Sequence, residues 1–329
     1  MNYLFVINPS AGQRKANKIK QILEGKISNN KKYRDKKHSF IIPETVYELE
    51  EKLKLKIEKE KTTTIVAVGG DGTVATVIRN LIDYENINIG IIPQGTGNIL
   101  ASNLGILSEI DSSLETVFFG KEERIDIGQV DKNPFTIMAG TGVPARIIEN
   151  IKKEDKAMFG IWAYFIKGLE YLYSAKEFDF KINIDGRDIQ TKSIAVLVSN
   201  AGNFFGPFIK LTSNAKPTDE FLDVFILSIK SLKENPVEYF ELIVNYLTGN
   251  VKGQEKKLRT FKAKEIIIDS TPKLKVQADG DIVSTTPTKI KILPLKQKIL
   301  IPNKPVILTP SVSDIMSKIE EMFNIKLPR

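Results

Sequence analysis

A glycine-rich pentapeptide, Gly69-Gly70-Asp71-Gly72-Thr73, directly follows the β-branched apolar run Thr62 to Val68. After it, Val74, Val77, Ile78 and Leu81 recur at helical spacing. Strand, glycine turn and helix N-terminus together form an anion site, because unpaired amides and the positive end of the helix dipole face the ligand. An acid inside such a loop serves anion binding only when a cation bridges it to the anion, so Asp71 predicts a phosphate–cation chemistry. The loop is not a Walker A sequence, since it lacks the Gly-Lys-Ser/Thr ending. Two more polar loops follow apolar strands: Asn8-Pro9-Ser10-Ala11-Gly12 after Tyr3–Ile7, and Pro93-Gln94-Gly95-Thr96-Gly97-Asn98 after Ile87–Ile92. If the strands are parallel, all three loops meet at one carboxyl edge, where open α/β sheets bind ligands. Near the other end stands Asp279-Gly280-Asp281, two acids around a turn residue.

Composition narrows the chemistry. The 329 residues contain no cysteine and one histidine, His38, which excludes thiolate metal sites, disulfides and cysteine nucleophiles and leaves no Ser/His/Asp arrangement in view. Carboxylates, lysines, hydroxyls and backbone amides remain, the means of phosphoryl transfer. Hydrophobic residues make up 42% and charged residues 27%, a globular balance with length for about two domains.

Net charge is +8, and the stretch from Gln13 to Lys61 alone carries 15 basic and 8 acidic residues. Such an excess forms a solvated helix face or meets anionic lipid headgroups and phosphates. Few aromatic residues are interleaved to stack bases, so nucleic acid is not an expected partner. The N-terminus MNYLFVINPS lacks a basic region followed by an apolar one, and the longest uncharged run, between Glu85 and Glu109, is broken by Pro93, Gly95 and Gly97. A cytoplasmic protein with at most peripheral membrane contact is expected.

The elements that must position these residues change character along the chain. Up to about residue 124 strands alternate with helices, including a lysine-rich helix to about Glu24 and one after Thr45 as N-cap; this predicts a parallel-sheet α/β domain over 1–124, with 303–329 packing back on it. From Arg124 short strands succeed one another: Arg124–Val130, Phe135–Ala139, Phe178–Ile184, Ser193–Ser199, Leu222–Ile229, Ala263–Ile268, Lys273–Gln277 and Lys289–Leu293. With a hairpin turn at Asp185-Gly186 and helices near Phe159–Tyr173 and Pro236–Thr248, they predict an all-β sandwich over 125–302 with helical insertions. The segment Val312 to Asn324 predicts a last amphipathic helix.

In this order, NPSAG, GGDGT and PQGTGN resemble the diacylglycerol kinase catalytic domain shared by bacterial soluble and YegS-like lipid kinases, sphingosine kinases and ceramide kinases. Further matches are Gly140-Thr141-Gly142 with Ala145, Phe159-Gly160 with Tyr164, Asn200 and Gly202, Leu222-Asp223-Val224, and Gln277-Ala278-Asp279-Gly280-Asp281, so the resemblance covers about residues 3 to 302. It implies an ATP- and Mg2+-dependent kinase with an N-terminal nucleotide domain of NAD-kinase-like architecture. A C-terminal sandwich would hold a diacylglycerol-like lipid drawn from a membrane surface, and a homodimer is a candidate assembly. The resemblance assigns nucleotide contacts to Asn8, Pro9, Ser10, Ala11, Gly12, Thr45, Gly69, Gly70, Asp71, Gly72, Thr73, Val74, Ala75 and Thr96. It assigns metal contacts to Lys216, Asp219 and Phe221, and a metal-linked role near the phosphates to Asp71. It makes Asp281 the proton acceptor for the lipid hydroxyl, with Asp279 as the competing candidate. The chain departs from the family at Ala75-Thr76, where Asn-Glu is common, at Ile99 in place of Asp, at Thr218 in place of an acid, and at Asp281, where Glu is usual. Two other readings stay open, a small-molecule kinase resembling NAD kinase and a non-catalytic nucleotide or lipid sensor.

Overall fold

The computed structural model describes residues 2–9, 13–95, 97–143, 145, 176–201, 216–227 and 259–304. Ser10, Ala11, Gly12, Thr96, Gly202 and the three helices expected near 159–173, 236–248 and 312–324 lie outside the described residues.

The first half is built as alternation demands. Strands β1 (Asn2–Ile7), β2 (Lys37–Ile41), β3 (Thr64–Gly69) and β4 (Asn88–Pro93) pair in the order β2-β1-β3-β4, all parallel. Their runs of Val, Ile, Leu and Phe are apolar on both faces because both faces are covered. Helices α2 (Val46–Glu60) and α3 (Asp71–Leu81) bury Leu49, Leu53, Val74, Val77, Ile78 and Leu81 against one face. Helices α1 (Gln13–Asn29) and α5 (Ile110–Phe119) bury Leu23, Ile27, Leu114, Val117 and Phe118 against the other. A short helix, α4 (Ile99–Asn103), follows β4. Neither α4 nor α5 is evident from the sequence, where the interval reads as an uncharged, turn-rich run.

The second half is an antiparallel sandwich. One layer holds β8 (Phe178–Ile184), β9 (Arg187–Ser193), β13 (Glu265–Thr271), β16 (Thr288–Ile301), β5 (Lys121–Val130) and β6 (Asn133–Phe135). The other holds β7 (Met138–Gly142), β10 (Ala195–Ser199), β11 (Leu222–Leu227), β12 (Arg259–Ala263), β14 (Lys275–Ala278) and β15 (Asp281–Thr285). Alternate residues of the facing strands, among them Phe135, Phe180, Ile182, Val196, Val224, Ile266, Val276 and Ile290, fill the space between the layers. The expected hairpin is present: Asp185 (φ 48°) and Gly186 (φ 87°) join β8 to β9 with both central residues left-handed.

One strand joins the halves. β16 runs antiparallel to β13 and β5 along its first part, then lies parallel to β4 at Lys298 and Ile299. The sequence predicts a strand ending near Leu293, because Pro294 cannot donate to a ladder. In the structure the register against β5 shifts between Leu293 and Gln297, and Leu295 adopts φ 46°. Pro294 therefore sits in an irregularity where no ladder bond is required, and the strand resumes beyond it. The buried Asp126 of β5 pins the irregularity, its Oδ1 accepting the Leu295 N–H at 2.7 Å.

Thr45 caps α2 as its spacing predicts: Oγ1 accepts the Glu48 N–H at 3.1 Å, while Glu48 Oε2 accepts the Glu44 N–H at 2.6 Å. Thr45→Ala is expected to cost about 1 kcal/mol in a denaturant melt, the usual loss of an N-cap hydroxyl. An unchanged midpoint would show that the cap contributes nothing here.

Candidate active site

Because β2, β1, β3 and β4 are parallel, the segments leaving their carboxyl ends converge on one edge: Thr45, Asn8–Pro9, Gly69–Thr73, and Gln94–Gly95 with Gly97–Asn98. The loops are tied together as well as adjacent. Asn8 Nδ2 donates to Thr73 Oγ1 at 2.8 Å, joining the end of β1 to the first turn of α3. Gln94 N–H donates to Gly69 O at 2.9 Å, joining β4 to the glycine loop. Asn98, in a left-handed conformation (φ 46°), closes its own loop by exchanging two bonds with Gly95, at 2.9 and 2.7 Å. Gly70 and Gly95 touch backbone to backbone, and a Cβ on Gly95 would come within 2.5 Å of Gly70 Cα. Two loops pressed this closely leave no room for side chains at the contact.

Gly70 is the N-cap of α3, with no side-chain cap. The amides of Thr73 and Val74 already bond Gly70 O, so the orphan donors of the helix start are those before them. Val74 and Ala75 are buried in the core beneath α3, which restricts them to backbone contact with anything bound outside. Thr45, through its cap bond, and Pro9 lie on the same edge.

Asp71 opens α3. The residue keeps part of its surface, but its carboxyl group is largely enclosed. Burial pushes its pKa up to about 6, the amides of Leu100 and Ile99 oppose this, and the negative charge of Asp279 adds to it. Its bond from the Leu100 N–H is long, 3.3 Å. A desolvated carboxyl near the charge of another acid suits a bridging cation brought in with a phosphate ligand.

Asp279 and Asp281 come from the opposite half of the molecule, on the turn between β14 and β15. They take different environments. Asp279 (φ 47°) is locked against the β6–β7 turn: its Oδ2 accepts Thr136 N–H at 2.7 Å and Thr136 Oγ1–H at 2.9 Å, and its Oδ1 accepts Ile137 N–H at 2.9 Å and Met138 N–H at 3.2 Å. Burial pushes its pKa up, while these amides and the Arg79 charge pull it down. Four donors occupy about all the lone-pair positions a carboxylate has. Asp281 has 66% of its side-chain surface exposed, and its one described partner is the Arg79 guanidinium at 3.2 Å. Arg79 rides on the last turn of α3 and also donates through Nε to Pro134 O at 3.2 Å. It thus links the glycine-loop helix to the β14–β15 turn. Nothing local in the sequence marks Arg79, since one arginine among the apolar positions of a helix carries no signal of a partner 202 residues away.

Of the residues the resemblance assigns to metal, Asp219 and Phe221 lie in the segment before β11, and Lys216 begins it, exposed. Asp219 Oδ1 accepts the Phe221 N–H at 3.1 Å, and Oδ2 meets Lys262 Nζ at 2.5 Å. Among the described residues this group's bonds outside the segment are to Asp126 of β5 and Lys262 of β12. Asp126, also unforeseen, supports it, with Oδ2 accepting the Glu220 N–H at 2.8 Å and its own N–H donating to Pro217 O at 2.7 Å. Glu220 is left-handed (φ 62°), a conformation costing a side-chain-bearing residue about 1 kcal/mol or more. Glu220→Gly should therefore raise the unfolding free energy by about 1 kcal/mol, since the amide that Asp126 accepts is retained. A destabilised variant would mean that the Glu220 side chain has a stabilising role of its own.

Comparison with known proteins follows the same division of the chain. The family model for the diacylglycerol kinase catalytic domain matches residues 2–130, and the model for the YegS C-terminal NAD kinase beta sandwich-like domain matches residues 137–301. A diacylglycerol kinase of Bacillus subtilis is 32% identical over 219 residues, covering 66% of this chain and 70% of that protein. One from Staphylococcus aureus is 27% identical over 245 residues, covering 74% and 76%. The crystal structure of a Bacillus anthracis diacylglycerol kinase superposes with a TM-score of 0.73 at 21% identity, over 92% of this chain and 97% of that one. The superposition establishes the shared fold.

Proposed function

The chain belongs to the diacylglycerol kinase catalytic-domain family of lipid kinases, and from that premise we propose that it transfers the γ-phosphoryl group of ATP to the hydroxyl of a diacylglycerol-like lipid. The observation that carries the reading is the Arg79 bridge, which ties α3, the helix that opens on Asp71, to Asp281 of the sandwich at 3.2 Å.

In this reading the amides at the start of α3 and the loops around Gly70 and Gly95 bind the nucleotide phosphates, and Asn8 and Thr45 border them. Asp71 would hold Mg2+ there, and the ion would supply neutralisation of the charge that develops on the transferring group. Asp281 is the general base. The lipid oxygen forms its bond to the γ-phosphorus as the bond to the β–γ bridging oxygen breaks; the hydroxyl proton passes to the Asp281 carboxylate, and ADP leaves with the bridging oxygen. The exposure and single partner of Asp281 favour this role, whereas Asp279, saturated by four donors, positions the turn. Arg79 orients Asp281 from the nucleotide side.

Among the described residues no helix is long and apolar enough to cross a membrane. A lipid acceptor and the basic stretch between Gln13 and Lys61 together support peripheral contact with an anionic bilayer surface at the cytoplasmic face.

The test is transfer of label from γ-labelled ATP with magnesium into mixed micelles offering diacylglycerol, monoacylglycerol, ceramide and sphingosine, with NAD in a parallel reaction. Label in diacylglycerol is the expected result. Label only in NAD, or nucleotide binding with no label in any acceptor, would overturn the reading.

A further inference from the structure

The segment 216–221 leads into β11 and is tied to Asp126 of β5, and the neighbouring strand β12 brings a lysine to it. Asp223 of β11 lies directly opposite Lys262 of β12 in the antiparallel register. The Lys262 ammonium sits 2.5 Å from Asp219 Oδ2 and 3.8 Å from Asp223 Oδ2, bridging two carboxylates as a metal ion would. The aromatic ring of Phe221 lies beneath the same cation, with Nζ 5.9 Å from its centroid.

Two further oxygens of the segment are engaged elsewhere. Asp219 Oδ1 accepts the Phe221 N–H and Pro217 O accepts the Asp126 N–H. Thr218, a neutral residue, stands next to Asp219. A hard divalent cation takes six or more oxygens at about 2.0–2.6 Å, so one bound through Asp219 would sit within a few ångströms of the ammonium. The two positive charges would then repel each other across a half-buried site. Among the described residues no three His, Cys, Asp or Glu side chains converge to hold an ion.

We propose that segment 216–221 is fastened by an internal cation, the Lys262 ammonium between Asp219 and Asp223, and takes no divalent metal. The residues that the family resemblance assigns to metal, Lys216, Asp219 and Phe221, are in this chain one half of a lysine clamp. The proposal is independent of turnover and of the lipid acceptor.

Melting of the full-length protein without nucleotide tests it, with Mg2+ or Ca2+ chloride as the probe against a chelator. The wild type is expected to melt within about 1 °C in chelator and in millimolar Mg2+ or Ca2+, with Asp219→Asn showing no different response to the ions. Lys262→Ala should melt about 3–6 °C lower, because two carboxylates lose their counter-charge, while Lys262→Arg keeps most of the wild-type midpoint. An ion-induced rise in the wild-type midpoint that disappears in Asp219→Asn would overturn the proposal, as would a Lys262→Ala midpoint equal to wild type. If Lys262→Ala does not fold, the wild-type and Asp219→Asn melts decide the matter without it.

Discussion

Asp71→Asn should abolish phosphoryl transfer, lowering kcat by about 10³-fold or more, while making the ligand-free protein more stable at pH 7. The two effects share one cause. The carboxyl is enclosed and lies beside a second acid, which pushes its pKa up to about 6. A group held charged under those conditions opposes folding and gains full compensation only from a bound cation, whose loss from a transferring phosphate costs several kcal/mol. For the stability arm the sign is set by the raised pKa: the folded state holds this proton more tightly than the unfolded chain does. The penalty is present above about pH 6 and is relieved as pH falls from there toward the ordinary carboxylate range. Asp71→Asn removes it at neutral pH, a gain of about 1–3 kcal/mol. Asp223 is also pushed up to about 6, chiefly by burial, and contributes in the same direction. The Asp71 share is therefore the difference between wild-type and variant melts from pH 7 to pH 5. The idea fails if Asp71→Asn retains transfer or melts below wild type at pH 7.

The acids of the β14–β15 turn should separate cleanly. Asp281→Asn is expected to lower kcat by about 10²–10⁴-fold, the usual contribution of a positioned base, with the midpoint of unfolding changed by no more than an exposed ion pair contributes, about 1 kcal/mol or less. Asp279→Ala should instead destabilise the protein by about 3–5 kcal/mol, because three backbone N–H groups and the Thr136 hydroxyl lose their acceptor at once. Activity would follow, since the turn that presents Asp281 loses its anchor. Measuring transfer and urea unfolding on both variants distinguishes a base from a positioning residue. Near-normal kcat in Asp281→Asn would remove it as the base.

Much of this arrangement is legible in the residues alone. Local rules specify most of the strands, the glycine loop at the start of α3, the Thr45 cap and the Asp185-Gly186 hairpin, because each depends on neighbours a few positions away; β9, β12 and β15, largely polar, carry no such mark. The carboxyl edge follows from alternation: once the strands are parallel, the loops after Ile7, Val68 and Ile92 have to meet. The same periodicity shows where the chain turns from α/β to antiparallel strands.

Other features depend on tertiary pairing. The continuation of β16 past Pro294 is invisible locally, since it requires the Asp126 carboxylate to hold Leu295 in an irregularity between strands. The partition of the two acids is likewise decided in space. Only the β6–β7 turn, more than 140 positions away, saturates Asp279, and only α3 brings Arg79 to Asp281. The lysine between Asp219 and Asp223 belongs to the same class, because a strand register sets it there. Sequence spacing determined which chemistry the chain can perform. The long-range contacts, each made between residues that carry no local mark of their partner, decided which acid is enclosed, which is saturated by donors and which stays exposed.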